Sequence, residues 1–159
     1  MNKKIDVLVV GAGISGIGAG YHLQKKCPET SFLILEGREN IGGTWDLFKY
    51  PGVRSDSDMY TLGYNFKPWK EQEAIADAPS ILKYLNETVE EFNLKSQIRF
   101  GKYVKKARWS SDSNQWTVDI EDKKTGKFSQ ILCSFIFMCS GYYSYKEGYT
   151  PHFEGKENF

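Results

Sequence analysis

Gly11, Gly13 and Gly16 follow the pattern G-x-G-x-x-G, and Glu36 stands twenty residues beyond the last of them. In a strand–helix–strand unit, those residue types at those spacings bind a dinucleotide. Gly11 permits a tight turn out of a strand, and Gly13 has no Cβ to hold a pyrophosphate off the backbone. Gly16 lets the following helix lie close on the sheet. The free N–H groups and positive dipole end at the start of that helix then hold phosphate. Glu36 can accept from both hydroxyls of an adenosine ribose and would repel a 2′-phosphate. The pattern therefore points to FAD or NAD in this site and away from NADP.

The flanking sequence supplies the elements such a site needs. Ile5 to Val10 is an apolar run of strand length, suited to burial on both faces. Ile14 to Lys26 has helical spacing, and the helix should stop near Cys27 because Pro28 disfavours helical geometry in the residue before it. Its small residues Gly16, Gly18 and Gly20 imply close packing beneath a cofactor. Ser31 to Leu35 is a second strand, ending on Glu36.

From Gly37 to about Asp77 no period is sustained, which is far longer than an ordinary connection. The stretch holds Trp45, Phe48, Tyr50, Tyr60, Tyr64, Phe66 and Trp69, too aromatic for disorder. Those rings could form a satellite core, a wall around an aromatic cofactor, or both.

Asp77-Ala78-Pro79-Ser80 signals a helix start, with Ile81, Leu82, Leu85, Val89 and Phe92 on one face and an end near Asn93. Gln97 to Phe100 reads as a short strand. Tyr103–Trp109 and Gln115–Glu121 alternate around a polar turn, so they form a hairpin, and Lys127–Leu132 adds a third strand. Ser134 to Cys139 is apolar enough for a central parallel strand and runs into Ser140-Gly141, which should lie near the cofactor. The expected fold is α/β: a Rossmann-like domain with a mostly parallel sheet and an inserted antiparallel β-meander. It would span residues 1–141, with the aromatic, irregular segment 142–159 as a linker.

At 159 residues the chain is one domain with room for a sizeable core. A net charge of +1 with 26% charged residues gives no reason to expect nucleic acid or a membrane as partner. No apolar run is long enough to span a bilayer, and Lys3-Lys4 before an apolar stretch is read as the approach to a strand, not as a signal peptide. Cys27, Cys133 and Cys139 are odd in number and lack C-x-x-C spacing. They read as small buried hydrophobes of a reducing compartment, which implies a cytoplasmic location. His22 and His152 have no neighbouring ligand set, and no metal site is expected.

The stretch Gly42-Gly43-Thr44-Trp45-Asp46-Leu47-Phe48-Lys49-Tyr50-Pro51-Gly52-Val53-Arg54-Ser55-Asp56 fits the pattern G-G-x-W-x-x-x-x-Y-P-G-x-x-x-D. On that motif the chain resembles the class B flavoprotein monooxygenases, specifically the Baeyer–Villiger group. With Arg54–Gly63 and Cys139-Ser140-Gly141-Tyr142-Tyr143, it is most similar to the bacterial ethionamide-activating subgroup. The resemblance covers essentially the whole chain. It implies FAD as cofactor, NADPH as reductant, O₂ as co-substrate, and a small ketone or sulfur compound as substrate, oxygenated through a C4a-peroxyflavin. It also implies an N-terminal portion of a longer enzyme. The family's second G-x-G-x-x-G, for NADPH, and its F-x-G-x-x-x-H-x-x-x-W-P signature are expected further on, with Phe159 as the signature's possible first residue.

The resemblance assigns roles. Gly11, Gly13, Ser15 and Gly16 would surround the FAD pyrophosphate, and Glu36 would hold the ribose. Gly43, Thr44, Trp45, Asp46 and Leu47 would run along the pyrophosphate and ribityl chain, and Val104 would meet adenine through its backbone. Asp56 would lie near the flavin and orient an active-site arginine from the rest of the enzyme, which makes it the one residue close to a catalytic role. Arg54 and Ser55 would face the nicotinamide cofactor, although Arg54 and Asp58 could equally be solvated loop charges. Two other readings compete: another two-domain FAD/NAD(P)H oxidoreductase, and a non-catalytic flavin-binding module. A disulfide reductase would want C-x-x-x-x-C after the second strand, and residues 37–50 contain no cysteine.

Overall fold

The computed structural model describes residues 4–144 and 147–158. Met1, Lys3, Tyr145 and Phe159 lie outside them, and with them the proposed start of the second family signature. One six-stranded sheet organises the chain, in the order β3-β2-β1-β6-β5-β4.

Strand β1 (Lys4–Val10) sits at the centre of the parallel half. It pairs in parallel with β2 (Phe32–Leu35), with Val7 opposite Phe32 and Val10 opposite Leu35. Between them runs helix α1 (Ile14–Lys26), closed at Cys27 by an N–H bond to the Leu23 carbonyl. Crowding explains its small residues: a Cβ at Gly20 would stand 2.9 Å from Ile34 Cδ1, and one at Gly18 3.0 Å from the Tyr64 ring. The glycines thus pack against the sheet and a loop aromatic.

The irregular stretch contains two single-turn helices, α2 (Thr44–Leu47) and α3 (Met59–Leu62). Asp58 caps α3, accepting from the Thr61 N–H at 2.9 Å, so this loop acid has a structural task. The aromatics divide between the two roles open to them. Phe66 stacks with both Tyr21 and Tyr64, Trp69 packs edge-on to Tyr84, and together they form an aromatic cluster over α1 that is continuous with the main core. The Tyr64 phenol donates to the Ile14 carbonyl, and burial pushes its pKa up. Trp45 instead faces a cavity, described below.

Helix α4 (Ala78–Glu91) begins where its capping sequence stands, with Asp77 accepting from the Ser80 N–H at 2.9 Å. Ile81, Leu85 and Val89 are buried as the spacing requires, joined by Tyr84 and Thr88, while Leu82 and Phe92 are only partly covered. A 3₁₀ turn leads to β3 (Ile98–Arg99), which pairs in parallel with β2. Full burial of Leu8, Ile17, Ile34 and Leu85 contributes about 1.5–3 kcal/mol each.

The hairpin forms as β4 (Lys102–Ser110) and β5 (Gln115–Asp122), with a bulge between Val104 and Lys106. The next element differs from expectation. Lys127–Leu132 and Ser134–Cys139, read as two strands, are one continuous strand, β6 (Phe128–Met138). Nothing between them can turn the chain, and Cys133 pairs at once with Trp116 on β5 and Ile5 on β1. The first half of β6 is antiparallel to β5 and the second half parallel to β1. The meander is therefore inserted in sequence but extends the sheet sideways in space. Beyond Cys133, β6 pairs only with β1 among the described residues, and Phe135, Phe137 and Met138 are 56%, 45% and 64% exposed. The segment is the central, parallel strand its composition suggests, but this end of it is not covered on both faces.

One further correction concerns the thiols. Cys133 is buried and Cys139 partly so, but Cys27 is exposed, because it follows the last turn of α1 where the chain leaves the sheet. Burial pushes the Cys133 thiol up to about 11 and raises that of Cys139 as well. Thiol labelling of the native chain should modify Cys27 first and leave Cys133 unreacted until denaturant is added.

Ser80 holds the Asp77 carboxyl below its ordinary value, through its side chain and then its N–H. A depressed carboxylate stabilises the fold above its unfolded pKa and loses that effect as pH falls through its folded one. Asp77→Ala should cost about 1 kcal/mol in denaturant unfolding at neutral pH. The gap to the parent chain should close below pH 3.8, and Asp77→Asn should retain most of the stability.

Candidate functional site: a cavity between two glycine loops

A cavity of about 660 Å³ opens at the carboxyl ends of β1, β2 and β6, where open α/β sheets bind ligands. The first glycine loop forms one wall. Gly11 has φ +105° and its N–H donates to the Leu35 carbonyl at 2.8 Å. A Cβ there would stand 2.5 Å from the Cys139 carbonyl oxygen, so only glycine fits between β1 and the end of β6. No side chain caps the α1 N-terminus and its first turn carries no acid, so its positive end is free for an anion.

The opposite wall is the second glycine loop. Gly43 has φ +56°, and a Cβ on it would approach Gly13 Cα to 3.1 Å. The two loops therefore touch glycine to glycine, forming a backbone cradle that side chains would fill. The Gly42 N–H donates to the Ala12 carbonyl at 3.0 Å, fixing the loops to one another.

Glu36 is only 7% exposed, and both its oxygens are engaged. Oε2 accepts from the Ala12 N–H at 2.8 Å and Oε1 from the Arg38 N–H at 2.9 Å. Each oxygen keeps a second acceptor site, so the carboxylate can hold the turn and still receive a diol. Arg38, which the sequence reading passed over, lines the same cavity. Its Nη2 donates to the Gly43 carbonyl at 2.8 Å, Nη1 stands 3.4 Å from Asp46 and Nε 3.7 Å from Glu36. Its position two residues past the ribose acid and ahead of Gly42-Gly43 was the available signal.

Of the residues expected at the site, Gly11, Gly13, Ser15, Glu36, Gly43, Thr44, Trp45 and Val104 line the cavity, as do Ser140 and Gly141. Gly16 lies beneath the wall. A Cβ there would fall 1.9 Å from the Gly11 carbonyl oxygen, so its task is to let α1 meet the turn. Asp46 and Leu47 are off the lining: Asp46 pairs with Arg38 and Lys49, and the Leu47 N–H closes α2 onto the Gly43 carbonyl. Tyr103 was also missed. Its half-exposed ring lies at the cavity edge, with the ammonium groups of Lys105 and Lys123 at 5.4 and 5.6 Å.

Arg54, Ser55 and Asp56 do not line the cavity either. Arg54 is exposed and bridges Asp77 through its backbone, while Ser55 is buried and donates to the Ser57 carbonyl at 2.7 Å. Asp56 is exposed, near Tyr143. The Tyr143 phenol is raised first by the Tyr142 hydroxyl, 3.5 Å away, and to a lesser degree by the Asp56 carboxylate. Tyr142 lines the cavity, whereas Asp56 is off its lining. The wall is thus rich in backbone donors and poor in groups suited to proton transfer. Such a wall suits binding and orienting an extended anionic ligand. Among the described residues, no three His, Cys, Asp or Glu side chains stand together as metal ligands, and no helix is long and apolar enough to cross a membrane.

Comparison with known proteins agrees with this geometry. Residues 9–75 match a family model described as an NAD(P)-binding Rossmann-like domain. The chain is 53% identical, over all its 159 residues, to the "FAD-containing monooxygenase EthA" of Mycobacterium tuberculosis. It is 52% identical, again throughout, to the "Probable FAD-binding monooxygenase AlmA" of Acinetobacter baylyi. It spans 32% of the length of each of these curated relatives. Among solved structures, a steroid monooxygenase bound to NADP superposes with a TM-score of 0.80 at 29% identity, covering 98% of this chain and 29% of that one. An open crystal structure of cyclohexanone monooxygenase gives 0.77 at 26% identity, covering 88% of this chain and 27% of that one. The two glycine loops, Glu36 and the G-G-x-W…Y-P-G-x-x-x-D motif thus stand together in a chain that is similar, over its whole length, to the N-terminal third of FAD-containing monooxygenases and superposes on Baeyer–Villiger-type enzymes.

Proposed function

We propose that the chain forms the FAD-binding part of an NADPH- and O₂-dependent monooxygenase that oxygenates a small ketone or a sulfur-containing compound. The observation that carries this reading is the cavity itself, with an uncapped helix start at one wall, a second glycine loop at the other and Glu36 between them. When bound, FAD would supply the redox chemistry, reduced by NADPH and reoxidised by O₂.

This chain's own residues would bind and orient. Backbone N–H groups from Gly13 to Gly16 would take the pyrophosphate, and Glu36 would accept from the ribose hydroxyls with its remaining lone pairs. Thr44 and Trp45 would line the path toward the flavin, with Asp46 and Leu47 holding that turn from behind. The Val104 backbone would meet adenine. Trp45, with its large apolar face, would exclude water from the ribityl side. Asp56, off the cavity lining, would orient a cationic side chain from elsewhere in the enzyme, and Arg54 and Ser55 would face the nicotinamide cofactor. Residues 1–141 would be the FAD domain and 142–159 the passage to the rest. Cytoplasmic residence goes with this reading and with the free thiols.

The chain should bind FAD saturably and FMN far more weakly, as read by flavin fluorescence. Glu36→Ala should weaken FAD by roughly ten-fold or more and FMN by much less, since FMN has no adenosine ribose. Equal losses would overturn the ribose assignment. The exposed Phe135 and Phe137, neighbours on one face of β6, support a further polypeptide covering that face. The isolated chain should accordingly self-associate in sedimentation at micromolar concentration, and a monodisperse monomer would count against that reading.

A further inference from the structure

Four hydrogen bonds close a ring around the inner end of the cavity. The Ala12 N–H donates to Glu36, the Arg38 N–H donates to the same carboxylate, the Arg38 guanidinium donates to Gly43, and the Gly42 N–H donates back to Ala12. Three of these links use backbone groups or the ribose acid. The fourth depends on one side chain, Arg38, and it is the only one of the four that ties the end of β2 to the second glycine loop. The Arg38 carbonyl also accepts from the Gly101 N–H at 2.9 Å, so the same residue fixes the turn leading to Tyr103 and Val104.

We propose that Arg38 is a positioning residue that sets the spacing of the two glycine loops between which the dinucleotide would lie. The inference rests on the FAD reading above. An arginine two residues past the ribose acid would, if free, be a natural receptor for a 2′-phosphate. Here its planar fork faces Gly43, Asp46 and Glu36, all within 3.7 Å. Two carboxylates balance the Arg38 guanidinium and the Lys49 ammonium in that corner, so Arg38 has no unshared charge to offer a phosphate. The Arg38 fork can meet three acceptors in different directions at once; a lysine ammonium keeps the charge without that geometry. Gly42 and Gly43 sit at φ +115° and +56°, so neither offers a side chain to hold the turn; Ile41 and Trp45 pack on either side, and Arg38 bonds the turn itself.

The test pairs Arg38→Lys with Arg38→Met in the full chain, reading FAD affinity by flavin fluorescence and amide hydrogen exchange by mass spectrometry. Both variants should bind FAD roughly ten-fold more weakly. In both, amides of residues 42–48 should exchange faster while those of β4 and β5 keep the parent's rates. An Arg38→Lys chain that binds FAD as the parent does would overturn the proposal, because charge alone would then suffice. Unchanged exchange at residues 42–48 in both variants would overturn it equally, whatever the affinities. Should the parent chain bind no FAD, the functional reading fails, and the exchange measurement still decides whether Arg38 holds the loop.

Discussion

The Glu36 carboxylate is the constraint on which the site depends. A buried carboxylate must have its lone pairs met, and here it meets them with backbone N–H groups from the first glycine turn and from Arg38. That requirement pins the end of β2 to the end of β1 at the point where the chain leaves the sheet. The residue best placed to receive a ribose is thus also the one that holds the turn in shape. On the proposed reading, binding and architecture would share one side chain, and the second glycine loop is tied to the same point through Arg38 and Ala12.

The remainder of the fold carries this arrangement. Parallel pairing of β1 with β2 and β6 aligns three carboxyl ends, so Gly11, Glu36 and Cys139 arrive at one level. The two apolar layers, Val9 and Ile34 on the helix side and Leu8 and Leu33 on the other, keep that alignment rigid. The aromatic stack of Tyr21, Tyr64 and Phe66 lies away from the cavity and anchors the long loop, leaving its first turn, with Trp45, free to form a wall.

Much of this was legible in the sequence because the signals were local. The G-x-G-x-x-G turn, the cap at Asp77 and the hairpin each depend on residues within a few positions of one another. Glu36 was legible because the length of a strand–helix–strand unit is itself constrained. Arg38 was not, since its three partners come from residues 36, 43 and 46 and only the folded loop brings them together. The continuity of β6 escaped for a related reason: its change of partner at Cys133 is a property of its neighbours, not of its own composition. The aromatic cluster and the cavity wall draw on the same residue types, so composition could not assign the loop's rings to one or the other.

The dual pairing of β6 also orders events in time. β4 and β5 are joined by a short turn and can zip together as soon as both exist. β1, by contrast, can pair early with β2 but waits for its other neighbour, β6, more than a hundred residues away, and closing so long a loop is entropically costly. During synthesis the chain must emerge past Met138 before its first strand is flanked on both sides. The glycine turn that opens the sequence therefore gains its Cys139 contact only after nearly the entire domain has left the ribosome. The strand that comes first in the fold is among the last to be flanked on both sides.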